Sequence, residues 1–141
     1  MAGHGKEFQP GGASSNFVGP DQLDVPLDFG PLRDAGTMLG SGALVVMAEG
    51  TDLLAAATNV LRFFRDESCG KCVPCRAGST KAHRILSELL ESGGGPGEVD
   101  ERIVQLEETM RRTSICGLGQ VALGPVMSVM RLNGRGNGHR G

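Results

Sequence analysis

The stretch Glu67-Ser68-Cys69-Gly70-Lys71-Cys72-Val73-Pro74-Cys75-Arg76 carries three of the four cysteines of this 141-residue chain. The fourth, Cys116, follows after 40 intervening residues, within Ser114-Ile115-Cys116-Gly117-Leu118-Gly119-Gln120. Three thiols that recur every third residue lie on one short loop, so they cannot all point away from one another. The spacing therefore predicts a site at which a tight loop and one remote residue together supply four thiolates.

Three thiolates from one loop and a remote fourth thiolate are a known way of holding a cubane iron–sulfur cluster. The residues between the cysteines suit such a group, because Gly70 and Gly117 lack a Cβ and let the backbone approach closely. Pro74 is favoured in the first turn of a helix, whose free N–H groups would face negatively charged sulfur. Lys71 and Arg76 would offset that charge. We therefore expect the cluster to be held by Cys69, Cys72, Cys75 and Cys116, with Gly70, Lys71, Pro74, Arg76 and Gly117 around them.

Three other roles for the cysteines stay open at this point. A structural zinc site uses four cysteines, but usually as two separated pairs. A thioredoxin-like redox pair, Cys69 with Cys72 or Cys72 with Cys75, leaves two cysteines without a role. Two disulfides fit poorly with three cysteines this close together and with the lack of a secretion signal.

Composition and charge exclude several classes of function. Hydrophobic residues make up 39% of the chain and its only aromatic residues are five Phe, so the core is small and a bound cluster would help to stabilise it. The formal net charge of −2 offers no basic face for nucleic acid or an anionic membrane. The longest apolar run, residues 43–48, is too short to span a bilayer, and residues 1–12 lack the apolar core of a secretory signal. We therefore expect a soluble, cytoplasmic protein without direct membrane insertion.

Periodicity along the chain predicts one strand and four helices. Residues 43–47 are apolar, partly β-branched and preceded by glycines, which is typical of a buried strand. Apolar residues at helical spacing predict four helices, the first of them capped by Thr51. The predicted helices cover residues 52–66, 74–91, 98–112 and 120–132. Four short amphipathic helices around one core form a small bundle.

The two cysteine motifs resemble those of the flavin- and NADH-binding subunit of respiratory complex I and its relatives. These relatives occur in NAD-reducing hydrogenases and NAD-dependent formate dehydrogenases. That family is marked by Glu-Ser-Cys-Gly-x-Cys-x-Pro-Cys-Arg and by a later Ser-x-Cys-Gly-Leu-Gly-Gln, which match residues 67–76 and 114–120 here. Residues 11–15, 23–29 and 40–43 also resemble the stretch that precedes the cluster in the family. The resemblance covers about residues 10–132.

The resemblance implies an α+β fold in which a partial β-grasp-like segment precedes a small four-helix bundle that holds the cluster. It divides the chain into four parts. They are a flexible N-terminal segment (1–22), the end of a β-grasp-like, soluble-ligand-binding domain (23–50), a helical [4Fe-4S]-binding domain (51–132) and a flexible tail (133–141). In the family, NADH reduces FMN, and the cluster then passes electrons on to clusters in neighbouring subunits.

The chain departs from the family pattern in one respect that limits its function. It has no glycine-rich domain for flavin or nucleotide, and Gly40-Ser41-Gly42 precedes a strand rather than a helix, which makes a poor phosphate cradle. We therefore expect FMN and NADH to bind only on a partner chain or a missing domain, and no catalytic residue here. The chain would be a split subunit or fragment that transfers electrons within a larger NAD(H)-dependent oxidoreductase, in contact with a flavin-binding subunit and other iron–sulfur subunits. The alternative is a structural or interaction domain that is stabilised by zinc or by a cluster and transfers no electrons.

Overall fold

The computed structural model describes residues 7–137, and over this range the chain is mostly helical with one small sheet. Strands β1 (Phe8–Pro10) and β2 (Leu44–Val46) pair antiparallel, with Gln9 opposite Val45. The helices are α1 (Phe29–Asp34), α2 (Leu53–Glu67), α3 (Val73–Glu91), α4 (Glu101–Thr113), α5 (Gly117–Val121) and α6 (Gly124–Asn137). Single 3₁₀ turns cover Pro20–Gln22 and Pro96–Glu98. The predicted α+β class is confirmed.

Helix α2 covers nearly the predicted residues but begins with a different cap. The side chain of Asp52 accepts a hydrogen bond from the Ala55 backbone N–H at 3.0 Å, which satisfies one of the free donors at the helix start. The hydroxyl of Thr51, which we expected to act as the cap, donates instead to the Ala48 carbonyl at 2.7 Å.

The later helices follow the prediction with two changes. Helix α3 has Pro74 in its first turn and ends at Glu91, as predicted. Helix α4 begins later than predicted, because the 3₁₀ turn precedes it and Asp100 caps it by accepting from the Arg102 N–H. The helix predicted over residues 120–132 is divided into the short α5 and the longer α6.

The four longer helices pack around one core. Helix α2 lies against α3 and α6, α3 lies against α4, and the short α5 contacts both α3 and α4. Burying each aliphatic side chain of this core contributes about 1.5–3 kcal/mol relative to leaving it exposed. Its most deeply buried large side chains are Leu54, Leu61, Leu86, Ile103, Met110, Leu123 and Val126. This packing brings the α2–α3 loop close to the α4–α5 loop.

The N-terminal segment, for which the sequence predicted flexibility over residues 1–22, contains β1 and a 3₁₀ turn from residue 8 onward. Phe8, Phe17 and Val18 are buried, and the backbones of Phe8 and Val18 exchange two hydrogen bonds. The glycines that suggested flexibility instead allow a close crossing, since a Cβ on Gly11 would lie 2.5 Å from the Met38 carbonyl oxygen. Residues 1–6 lie outside the described residues.

Strand β2 is exposed, whereas the sequence predicted a buried strand. The exposed fractions of Leu44, Val45 and Val46 are 51%, 43% and 57%. Within the described residues β2 pairs only with β1, and its side chains are exposed on both faces of the strand.

The last helix extends into the range 133–141, for which the sequence predicted a flexible tail. Helix α6 continues to Asn137, because Val129 and Leu132 pack on the core and extending an existing helix is easier than starting one. Residues 138–141 lie outside the described range.

Candidate iron–sulfur site

The four cysteines lie where two pairs of helices meet. Cys69 is in the loop between α2 and α3, Cys72 is the N-cap residue of α3, and Cys75 lies in the first turn of that helix. Cys116 is the N-cap residue of α5. Neither N-cap side chain makes a capping hydrogen bond within its own helix. Thiols placed at helix starts face free backbone N–H groups, which favour negative charge.

Two contacts bring the remote segment to the loop. The backbone N–H of Ile115, beside Cys116, lies near the Cys72 thiol and lowers its pKa. Gly119 lies against Cys75, since a Cβ built on this glycine would be 2.9 Å from the Cys75 Cβ. The structure thus joins the segment that holds the fourth cysteine to the loop that holds the other three.

The same contacts favour the thiolate form of Cys72. The Ile115 N–H is the largest cause that lowers the pKa of this thiol below its usual value, followed by the Cys75 N–H. The positive charge of Arg76 lowers the pKa further, although partial burial opposes these effects. The thiolate is the form that binds metals, and the lowered pKa favours that form at Cys72.

The four thiols differ in their exposure to solvent. Cys75 is 6% exposed, Cys72 is half-buried, and Cys69 and Cys116 are exposed. None of them forms a disulfide. The site therefore has a buried side at Cys75 and an open side at Cys69 and Cys116.

The other residues predicted around the cluster take varied positions. Gly70 has a φ of +72°, a left-handed conformation that glycine adopts without strain. The Arg76 guanidinium donates to the Gly70 carbonyl and so closes the loop on itself. Pro74 occupies the first turn of α3, and Lys71 is exposed. A Cβ on Gly117 would meet no atom within 4 Å, so the protein packing described here does not require glycine there.

Three residues at the site were missed by the sequence reasoning. The Ser68 Oγ lies 3.2 Å from the Cys75 Sγ, and Gly119 is wedged between Cys75 and Ser114. The Ser114 Oγ is buried and is the one buried side-chain nitrogen or oxygen without a hydrogen-bond partner among the described residues. Each of the three stands in the quoted cysteine motifs, but their roles depend on contacts that spacing does not reveal.

The residue types at the site suit a negatively charged iron–sulfur cluster. Among residues 7–137, no group of three or more His, Cys, Asp or Glu side chains is arranged to hold one ion. The sulfurs around one tetrahedral zinc lie about 3.8 Å apart, given Zn–S bonds of about 2.3 Å. Cubane thiolates bind separate irons and stand further apart. An all-thiolate donor set, free helix N–H groups and an unpartnered buried hydroxyl suit the larger, negatively charged group.

None of the helices within residues 7–137 is both long enough and apolar enough to cross a bilayer.

Comparison with known proteins confirms the resemblance drawn from the motifs. The family model described as the NADH-ubiquinone oxidoreductase-F iron-sulfur binding region matches residues 55–133. The chain is 38% identical over 125 residues to NADP-reducing hydrogenase subunit HndC of Solidesulfovibrio fructosivorans, covering 89% of this chain and 25% of that protein. It is 39% identical over 131 residues to the F subunit of NADH-quinone oxidoreductase of Mycobacterium bovis, covering 92% and 29%.

A solved structure agrees with these relatives. A chain of an NAD⁺-reducing [NiFe]-hydrogenase in the H₂-reduced state superposes with a TM-score of 0.75 and 30% identity, covering 90% of this chain and 21% of that chain. The present chain thus spans between about a fifth and a third of the length of the proteins it matches. By the match over residues 55–133, the chain belongs to the family of NADH-ubiquinone oxidoreductase-F iron-sulfur binding regions.

Proposed function

We propose that Cys69, Cys72, Cys75 and Cys116 hold one [4Fe-4S] cluster and that the chain is an electron-transfer module. The observation that carries this proposal is the close approach of Gly119 to Cys75, because it brings the segment that holds Cys116 against the loop that holds the other three cysteines. When bound, the cluster supplies one-electron oxidation and reduction without making or breaking substrate bonds.

The chain's own residues would position the ligands and balance charge. Cys72 and Cys116 lie at the starts of α3 and α5, where free backbone N–H groups would stabilise negatively charged thiolates. Arg76 keeps the loop closed by its bond to the Gly70 carbonyl and adds a positive charge near Cys72. Burial of Cys75 excludes water from one side, while exposed Cys69 and Cys116 leave the other side open to a redox partner.

The redox partner would be a flavin on a separate NADH-binding chain or on a domain absent from this sequence. Related proteins are named as subunits of NADH-quinone oxidoreductase and NADP-reducing hydrogenase. The chain would therefore serve an NADH:quinone oxidoreductase-like complex, or an NAD-dependent hydrogenase or formate dehydrogenase. It would act in the cytoplasm or at the periphery of a membrane complex, contact further iron–sulfur subunits, and catalyse no reaction alone.

The test is metal analysis and low-temperature electron paramagnetic resonance of the full chain, purified without oxygen and reduced with dithionite. We expect close to four irons and four sulfides per chain and a fast-relaxing signal in the reduced state. Absence of sulfide together with one zinc per chain would overturn the proposal and favour a structural adaptor.

A matched pair of variants tests the fourth ligand. Cys116→Ala should lower the iron content and change the signal, because one iron loses its thiolate. Ile115→Ala should leave both unchanged, because its side chain is 72% exposed and its backbone N–H remains. Equal iron content in the two variants would contradict the assignment of Cys116.

A further inference from the structure

The hydroxyl of Ser68 makes a contact that the ligand assignment does not use. Its Oγ lies 3.2 Å from the Sγ of Cys75, within the range of a hydrogen bond to sulfur. The same oxygen accepts a hydrogen bond from the backbone N–H of Gly70, also at 3.2 Å. One serine oxygen thus connects the loop backbone with the most buried of the four sulfurs.

The direction of the bond to Cys75 follows from the chemistry of the two groups. A serine hydroxyl has one proton to donate and lone pairs to accept. A ligating cysteine is a thiolate and has no proton to donate. Because Gly70 N–H already occupies a lone pair of the Ser68 oxygen, the hydroxyl proton is free to point at the Cys75 sulfur.

Two well-packed helices hold this geometry. Ser68 is the C-cap residue of α2, and its backbone N–H bonds to the Arg65 carbonyl. One turn earlier, Phe64 is buried in the core and anchors that end of the helix. Cys75 is fixed on α3, where its carbonyl accepts from the Ser79 hydroxyl at 2.6 Å. Both partners of the contact are therefore placed by elements rather than by a mobile loop.

We infer that Ser68 is a positioning residue that sets the reduction potential of the site by donating a hydrogen bond to the Cys75 thiolate; this rests on the proposed function. Reduction adds negative charge to the cluster and its sulfurs, and a donor to a sulfur stabilises the reduced state more than the oxidised one. The effect is strengthened because Cys75 is shielded from water. The hydroxyl therefore raises the potential.

The experiment is a redox titration, followed by electron paramagnetic resonance, of the cluster-loaded full chain and three variants. Ser68→Ala removes the donor, and Ser68→Thr keeps a hydroxyl at the same position. Ser79→Ala is the matched control, because it deletes another buried hydroxyl that bonds the backbone of Cys75 and not its sulfur. Iron and sulfide are quantified in every sample.

We expect a more negative midpoint potential in Ser68→Ala, with about a tenfold drop in the equilibrium constant for reduction, or about 59 mV for one electron. Ser68→Thr and Ser79→Ala should titrate like the parent chain. If Ser68→Ala takes up no cluster but Ser68→Thr does, the inference is still supported, because the presence of a hydroxyl is then what distinguishes the two variants. Three results would overturn the inference. They are an unchanged potential in cluster-loaded Ser68→Ala, an equal shift of the potential in Ser79→Ala, and failure of Ser68→Thr to take up a cluster.

A cluster-free parent chain would be a different result. It would refute the proposed electron-transfer function itself, and it would appear in the iron and sulfide analysis before any titration. Full loading of the parent chain with an unchanged Ser68→Ala potential would refute only the role of Ser68.

Discussion

At the scale of single residues, two glycines of α5 lie two positions apart but in different surroundings. A Cβ on Gly119 would be 2.4 Å from the Ser114 Oγ and 2.9 Å from the Cys75 Cβ. A Cβ on Gly117 would meet nothing within 4 Å. Gly119 therefore allows the segment that holds Cys116 to approach α3, and Gly117 is not needed for that approach.

We predict that Gly119→Ala lowers the stability of the chain by about 1–3 kcal/mol, a usual cost of overpacking. It should also lower the iron content, because the added methyl group pushes Cys75 and Ser114 apart. Gly117→Ala is the matched control and should leave both nearly unchanged. Denaturant unfolding and iron analysis of both variants check this, and equal losses in the pair would contradict it.

The sequence predicted the four cysteine ligands but not the residues that support them. Regular spacing identifies Cys69, Cys72 and Cys75, because thiols so close together share a loop. The roles of Ser68 and Gly119 depend on contacts between α3 and segments before and after it, and no spacing rule encodes such distances. The assignment of all four cysteines as ligands stays a prediction until metal analysis.

At the scale of elements, the helices were predictable where apolar residues recur strongly and less so elsewhere. The predicted starts and ends of α2 and α3 differ from the structure by one residue at most. The short α1 was missed, because its two-turn length shows no period and Asp28 alone signals its start, by accepting from the Phe29 N–H. The exposure of β2 was missed because an apolar run does not reveal how many layers cover a strand.

The start of α4 gives a prediction for its dependence on pH. Asp100 caps this helix, and its hydrogen bond with the Arg102 side chain is the main cause that lowers its pKa from 3.8 to about 2. A carboxyl group whose pKa is lower in the folded chain stabilises the fold above its unfolded pKa and loses that effect as the pH falls. The stabilisation of the fold by the Asp100 carboxylate should be complete above about pH 4 and lost as the pH falls from about 4 to about 2.

We therefore expect the stability of the parent chain to fall more steeply between pH 4 and 2 than that of Asp100→Asn. The asparagine keeps a capping oxygen but cannot titrate. Unfolding curves of the cluster-free, thiol-reduced chains measure this, since acid would destroy a cluster. Parallel curves for the two proteins would contradict the assignment.

At the scale of the whole molecule, apolar side chains gather on the N-terminal third of the chain. This exposed apolar surface extends over residues 23–46. The exposed side chains there are Leu23, Leu27, Phe29, Met38, Leu44, Val45 and Val46. Apolar surfaces of this kind mark contacts with other protein or a tendency to aggregate.

We predict that the isolated chain self-associates through this surface. The paired substitutions Leu44→Thr and Val46→Thr should reduce association without unfolding the chain, because threonine retains β propensity. Phe63→Ser is the control, since this residue is 51% exposed but belongs to α2 rather than to the sheet. Sedimentation velocity at several concentrations checks the prediction, and equal association of the control and the paired variant would contradict it.

Ligand spacing gives a second prediction for the whole molecule. A group bound by Cys75 and Cys116 closes a loop across α3 and α4, since 40 residues separate these ligands. The chain-entropy treatment of cross-links gives about 4 kcal/mol of stabilisation for a loop of this length. Removing the metal with chelator should therefore lower the denaturant midpoint strongly in the parent chain and far less in Cys116→Ala. A midpoint that does not change on metal removal would contradict a closed site.

The same separation along the chain also imposes an order on biosynthesis. A ribosome delivers Cys69, Cys72 and Cys75 well before Cys116, with the residues of α3 and α4 in between. At about 5–20 residues per second, the nascent chain presents three thiols without the fourth for several seconds. Those thiols can be oxidised or captured by other metals during that interval. The cluster should therefore be inserted after α3 and α4 have packed together. Iron and sulfide that reach a nearly finished chain would then find all four proposed ligands at once.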